Sequence, residues 1–181
     1  MKYDSERLIF KEFREEDFDL FYSVFSNEDV MKYALLDRYT CKEDIIPYFR
    51  KLLDNNKMVQ NRENYAYAVY LRSNGEFIGF ADIEVHNQNI YGGCGEIGYF
   101  LLPKFWGNGF ATEIANMLLK ICFNQLKLHR VCASCNSNNL RSEQIMKKIG
   151  MIKEGLFRKA RFKNGNWDDE LKYSILVEEW K

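Results

Sequence analysis

The stretch Glu96-Ile97-Gly98-Tyr99-Phe100-Leu101-Leu102-Pro103-Lys104-Phe105-Trp106-Gly107-Asn108-Gly109-Phe110-Ala111-Thr112-Glu113 decides how this chain is read. Residues 96–102 are an apolar run of strand character, and Pro103 closes it. Apolar side chains then recur at Ala111, Ile114, Ala115, Leu118, Cys122 and Phe123, the spacing of one helix face. A turn with two glycines joins the two. The first turn of a helix carries backbone N–H groups without partners, and the helix dipole adds about half a positive charge there. Glycine lets that backbone approach an anion closely. The order strand, glycine turn, helix therefore predicts a phosphate-binding turn at residues 107–112. The same spacing also suits a tight turn without a ligand, and this stretch alone leaves both readings open. It is not a P-loop, because no Gly-Lys-Ser/Thr follows the glycines, and it lacks the G-x-G-x-x-G of a dinucleotide fold.

Outward from this turn, the pattern is a mixed α/β one, α+β in arrangement. Strands are predicted over 7–13, 65–71, 77–85, 95–102, 130–135, 153–162 and 167–177, and helices over 15–25, 42–55, 111–126 and 139–149. Asn74-Gly75 and Asn164-Gly165 mark hairpins. No linker, repeat or low-complexity segment interrupts the 181 residues, so one domain over 1–181 is expected. Lys+Arg and Asp+Glu number 26 each, which gives no whole-chain signal for nucleic acid. The charged start, Met1-Lys2-Tyr3-Asp4-Ser5-Glu6-Arg7, lacks an apolar core, so no signal peptide is expected there. No apolar run reaches the roughly 20 residues that span a bilayer. A cytoplasmic protein without membrane or nucleic-acid partners is expected.

Cysteines number 5, an odd count that argues against a disulfide framework. Cys132-Ala133-Ser134-Cys135 has metal-site spacing, but on a strand residues three apart face opposite sides. No second such pair and no His pair completes a site, so no metal is expected.

The turn and its surroundings resemble the acetyl-CoA motif of the GNAT superfamily of N-acetyltransferases, Gln/Arg-x-x-Gly-x-Gly/Ala, here Trp106-Gly107-Asn108-Gly109-Phe110-Ala111. Trp stands where Gln or Arg is usual. The W-G-x-G-F-A-T-E form is similar to the RimJ/RimL-type branch, named for enzymes that acetylate the N-termini of ribosomal proteins. Asn139-Leu140-Arg141-Ser142 followed by Met146-Lys147-Lys148-Ile149-Gly150-Met151, the segment Glu154-Gly155-Leu156-Phe157-Arg158 through Trp167 to Leu176, and Arg7-Leu8-Ile9-Phe10 resemble the same branch in the same order. The resemblance implies a mostly antiparallel central sheet, seven strands by the pattern above, flanked by helices and splayed between strands 96–102 and 130–135. It also implies acetyl-CoA as donor and an amine as acceptor, foremost a protein N-terminus. A polyamine or antibiotic amine, or a non-catalytic acyl-CoA-binding domain, are the alternatives. Either a monomer or a homodimer fits.

Acetyl transfer to an amine needs a neutral amine, hence a base, and donors for the oxyanion that forms on the thioester. The resemblance assigns the oxyanion donors to backbone N–H groups of Phe100, Leu101 and Leu102, and the phosphates to Gly107, Asn108, Gly109, Phe110, Ala111 and Thr112. Glu96 is the candidate base, on one strand face with Gly98 and Phe100, where apolar neighbours would raise its pKa. A structural carboxylate is the other reading of it. Many family members carry a tyrosine acid seven residues after the position of Asn139; here that position is Met146. Ser142 is the candidate helper, as acid or as a hydrogen-bond partner of the cofactor thiol. Asn139 is expected to cap its helix and hold the pantetheine amide. Of the basic residues between Arg141 and Lys163, most are expected on a solvated face. Tyr3, Tyr33, Tyr39 and Trp167 are candidates for the acceptor groove.

Overall fold

The computed structural model describes residues 2–58, 60 and 62–181. Among these, eight strands form one sheet in the order β1-β2-β3-β4-β5-β6-β8-β7. They are β1 (Lys2–Asp4), β2 (Leu8–Glu12), β3 (Asn64–Leu71), β4 (Phe77–Asn89), β5 (Gly92–Leu101), β6 (Arg130–Asn136), β7 (Ile152–Lys163) and β8 (Asn166–Leu176). The extra strand over the sequence pattern is β1. Three residues are too few to show periodicity, and only pairing with β2 makes them a strand. The helices are α1 (Phe18–Phe25), α2 (Glu28–Met31), α3 (Lys42–Lys57), α4 (Phe110–Lys120) and α5 (Leu140–Lys148). The predicted helix 111–126 is α4 followed by a π-helical turn, Ile121–Gln125. Predicted helix 15–25 begins as a 3-10 turn, Glu15–Asp17. The one-turn α2 has no helical period to read; Asn27, whose side chain accepts from Val30 N–H at 3.1 Å, caps it.

Period-two alternation divides the core. On β3, Ala66 and Ala68 face one layer, and Tyr67 and Val69 the other. The first layer holds Phe13, Phe21, Phe25, Ile45 and Phe49 from the α1 and α3 side. Phe80 sits at its centre, 5.1–6.2 Å from the rings of Phe13, Phe21, Phe25 and Phe100. Truncating such a ring to alanine costs about 3–5 kcal/mol. The second layer packs Ile114, Leu118 and Met146 of α4 and α5 against Ile83, Ile97 and Val131 of the sheet. Every neighbouring strand pair is antiparallel except β5–β6. That parallel pair holds for three residues, Cys94–Arg130, Gly95–Val131 and Glu96–Cys132, and then ends. Beyond Glu96, β5 and β6 part into a fork.

Candidate active site

A cleft of about 1350 Å³ runs through this fork. At one end it is lined by Gly107, Gly109, Phe110, Ala111 and Thr112, along its length by β5, β6 and α5, and at the other end by Asp82, Glu84 and Glu96.

The turn at the first end is held by side chains that leave its backbone open. Trp106 Nε1 donates to Leu101 O at 2.7 Å, so the Trp that replaces Gln or Arg fastens the turn to the end of β5. Asn108 Nδ2 donates to the carbonyls of Phe105 and Trp106 at 3.3 and 3.1 Å. Its side chain is spent inside the turn, so any ligand contact from Asn108 would come from backbone. Gly107 and Gly109 have φ of +80° and +79°, the left-handed region. Gly109 is the N-cap of α4 and has no side chain to cap it. The first N–H groups of α4 therefore face the cleft without a side-chain acceptor, which suits an anionic group. The one acid in this turn, Glu113, is already neutralised. Ser5 Oγ, Arg7 N–H and Arg7 Nε each reach its carboxylate at 2.7 Å. Burial pulls its pKa up most strongly, but these donors together hold it below the usual carboxylate value. Arg7 also donates to Asn108 O at 3.0 Å and covers the Phe110 ring at 4.5 Å.

Midway, the expected oxyanion donors narrow. Leu102 N–H is bonded to Ile78 O at 2.9 Å, so it is not open to a ligand. Alternation along β5 turns the Phe100 N–H the same way, towards β4, and the Leu101 N–H towards the fork. Leu101 is thus the donor of the three that the cleft offers. Asn139 Oδ1 accepts from Ser142 N–H at 3.2 Å, the helix cap read from the sequence. Ser142 lines the cleft beside Cys135 and Tyr99.

At the far end the surroundings of Glu96 differ from the expected apolar ones. Its Oε1 accepts from Ser134 Oγ at 2.9 Å, across the mouth of the fork, and Glu84 lies directly opposite on β4. Burial pushes the Asp82 carboxyl up to about 7, with the charges of Glu84 and Glu96 adding to the rise. Asp82 faces Gly98, and a Cβ at 98 would stand 2.4 Å from Asp82 Oδ1. Glycine at 98 leaves room for that carboxyl. Asp82 is the functional candidate that the sequence reading missed. The alternation Asp82, Glu84 on a strand reads as a solvent face until β5 is paired beside it.

Of the four aromatics expected at the acceptor groove, Tyr33 lines the cleft. Trp167 lines a smaller adjoining cavity of about 380 Å³. Tyr3 instead packs edge-on against Tyr67, 5.7 Å away, and Tyr39 joins the α1–α3 layer. Among the basic residues, Arg141, Lys148 and Arg161 line the cleft, and Arg141 covers Trp106 at 5.7 Å. Lys163 departs from the solvated-face expectation. Its Nζ donates to Met31 O, Ala34 O and Leu36 O at 2.6, 2.8 and 2.9 Å, and burial lowers its pKa. Cys132 is half-buried and Cys135 buried, both unpaired, and no group of metal-binding side chains occurs among the described residues.

The sequence model described as "Acetyltransferase (GNAT) domain" matches residues 7–152. The chain belongs to the GNAT acetyltransferase family. It is 34% identical over 181 residues to the "Uncharacterized N-acetyltransferase YnaD" of Bacillus subtilis, covering 99% of each. Its similarity to the "Ribosomal-protein-serine acetyltransferase" of Escherichia coli is 29% over 132 residues, 71% of this chain and 70% of that one. A GNAT-family acetyltransferase structure from Bacillus anthracis superposes with a TM-score of 0.79 at 32% identity, covering 99% of this chain and 100% of that one. Spermidine N-acetyltransferase from Vibrio cholerae, solved with CoA and spermine, shares the fold with a TM-score of 0.82 at 19% identity, covering 97% and 98%. This chain is therefore a GNAT enzyme that uses acetyl-CoA to acetylate an amine. No helix among its described residues is long and apolar enough to cross a membrane.

Proposed function

We propose that this GNAT enzyme acetylates the N-terminal amine of a protein, as a RimJ/RimL-type member acting in the cytoplasm, with residues 1–181 as one domain. The observation that carries the reading is that the cleft does not stop at its carboxylates. The smaller cavity shares Ala34, Leu35, Leu36 and Arg161 with it and extends it outward beside the β7–β8 hairpin. An amine at Glu96 would thus have room for the chain attached to it. The activity for which the E. coli relative is named supports the same acceptor class.

In this reading the phosphates of acetyl-CoA lie at the open backbone of residues 107–112, and the arm follows β5 past Asn139. The acceptor attacks directly while both substrates are bound. Asp82, Glu84 and Glu96 draw an ammonium in, but their negative charge also favours its protonated form. A base is then needed, and Glu96, steered by Ser134, is placed for it. Leu101 N–H meets the developing oxyanion. Ser142 serves the thioester side.

A small polyamine is the second reading, favoured by those three carboxylates at one end of the cleft. Thiol release from acetyl-CoA should be followed with short peptides, free or blocked at the N-terminus, and with spermidine. Free N-termini should turn over and blocked ones should not. Faster turnover of spermidine than of every peptide would shift the assignment to polyamines. No turnover with any amine would leave only acyl-CoA binding.

A further inference from the structure

Gly98 makes room for a second acid in the cleft. It is the next residue after Glu96 on the same face of β5, and Asp82 lies opposite it on β4. The Asp82 carboxyl occupies the space that a side chain at 98 would take, since a Cβ there would stand 2.4 Å from Oδ1. It thus reaches over β5 at the rim of the fork, where it lines the cleft. That rung is two residues, about 7 Å, nearer than Glu96 to Leu101, the oxyanion donor. Glu96 is held by Ser134, but no N–H or O–H of the described residues donates to Asp82. It is half-buried among like charges, Glu84 on its own strand and Glu96 on β5, and the Tyr48 phenol of α3 is the third titratable neighbour. Such surroundings disfavour a carboxylate, so packing gives no reason for an acid there.

The reaction does. An ammonium acceptor sheds two protons on its way to an amide. Glu96 takes the first and frees the lone pair. Attack on the thioester carbon then leaves a positive nitrogen in the tetrahedral adduct. While that nitrogen keeps its extra proton it can leave as readily as the sulfur, and the adduct reverts.

We propose that Asp82 is a further catalytic residue, which takes this second proton from the nitrogen of the adduct. The inference rests on the acetyl-transfer reading above, but not on which amine is the acceptor. The carbon–nitrogen bond forms with the lone pair of the amine, and the N–H pair stays on nitrogen as the proton passes to Asp82. The carbonyl then re-forms, and the carbon–sulfur bond breaks with its pair on sulfur. Of the two protons held by Glu96 and Asp82, one neutralises the thiolate and the other goes to water. Burial, with Glu84 and Glu96 adding to it, holds the Asp82 carboxyl at about 7. A group of that value takes and returns a proton readily near neutral pH.

Asp82→Asn keeps the shape and removes the proton acceptor, and it should melt no lower than the parent at neutral pH. Its turnover should be measured with a short peptide or with spermidine, whichever the parent acetylates faster. It should fall about 10²-fold or more, with the KM for acetyl-CoA within about twofold. Raising the pH supplies free amine and so replaces only the first proton transfer. The deficit should therefore persist at the pH where that of Glu96→Gln has shrunk. Gly98→Ala gives a second readout, because its Cβ pushes the Asp82 carboxyl aside without altering it. It should also lose turnover, and the double variant should lose no more than Asp82→Asn alone. Near-normal turnover of Asp82→Asn, or a deficit that vanishes at high pH, would overturn the proposal. So would losses that multiply in the double variant. A parent that acetylates neither amine would sink the acetyl-transfer reading, and the role of Asp82 with it.

Discussion

Arg7 meets Glu113 with two donors at once: its backbone N–H and its Nε each lie 2.7 Å from a carboxylate oxygen. An acid in the first turn of α4 would otherwise compete with a bound anion for the same positive end. The contact ties the start of β2 to the start of α4 across 106 residues.

Glu113→Gln should lower stability at neutral pH by about 1 kcal/mol, a figure kept small because the Arg7 side chain is 45% exposed. The Glu113 pKa is depressed, so its contribution is present above the unfolded carboxylate value and is lost as pH falls through the folded one. Thermal melts of the two proteins should differ at pH 7 and converge below about pH 4. A gap that stays constant down to pH 3 would show that the ionised carboxylate is not what stabilises the contact.

Asp82 predicts the opposite trend. Its pKa is raised to about 7, so the favourable neutral form is fully present below the unfolded value and is lost as pH rises through 7. Asp82→Asn should therefore melt above the parent at pH 8, and the difference should vanish by pH 4. The experiment is a Tm series in pH, and a variant less stable than the parent at pH 8 would contradict it.

Glu96→Gln, nearly isosteric, should lower turnover by about 10²–10⁴-fold, the usual contribution of a positioned base. Acetyl-CoA affinity should hardly move. The deficit should shrink as pH climbs towards the acceptor's own pKa, where free amine is abundant. Near-normal turnover at neutral pH would assign the base elsewhere.

Much of this was legible in the chain. The glycine turn, both Asn-Gly hairpins and the helix cap at Asn139 are local signals, and all stand where the pattern puts them. The rest depends on partners far away. Nothing near Arg7 announces Glu113. Asp82 becomes a half-buried acid of the cleft only when Gly98 lies opposite it, and the Leu102 N–H is lost to a ligand only because β4 takes it.

Gly109→Asp should abolish the rise in Tm that millimolar acetyl-CoA gives the parent. Binding to the folded state alone adds about 2.7 kcal/mol at 100 Kd. The aspartate would place a carboxylate beside the Arg7 guanidinium, 3.5 Å from the new Cβ, and strain a backbone with φ of +79°. Gly109→Ala, carrying the strain without the charge, should retain part of the shift. An undiminished shift in Gly109→Asp would move the anion site away from residues 107–112.

Lys163→Met should free the loop of residues 31–36 that borders the acceptor end of the cleft. The expected signature is a KM for the acceptor raised about tenfold, with the KM for acetyl-CoA within about twofold. Equal changes in both constants would point to a general loosening.

The same lysine sets an order of events in time. Its carbonyl partners precede it by 127 to 132 residues. On a ribosome adding about 5–20 residues per second, that separation is about 6–26 s. Through that interval the loop exists without the ammonium that gathers its carbonyls. The acceptor wall is therefore set late in the chain's birth. A nascent chain stalled before Lys163 would already hold residues 107–112 but not the finished wall.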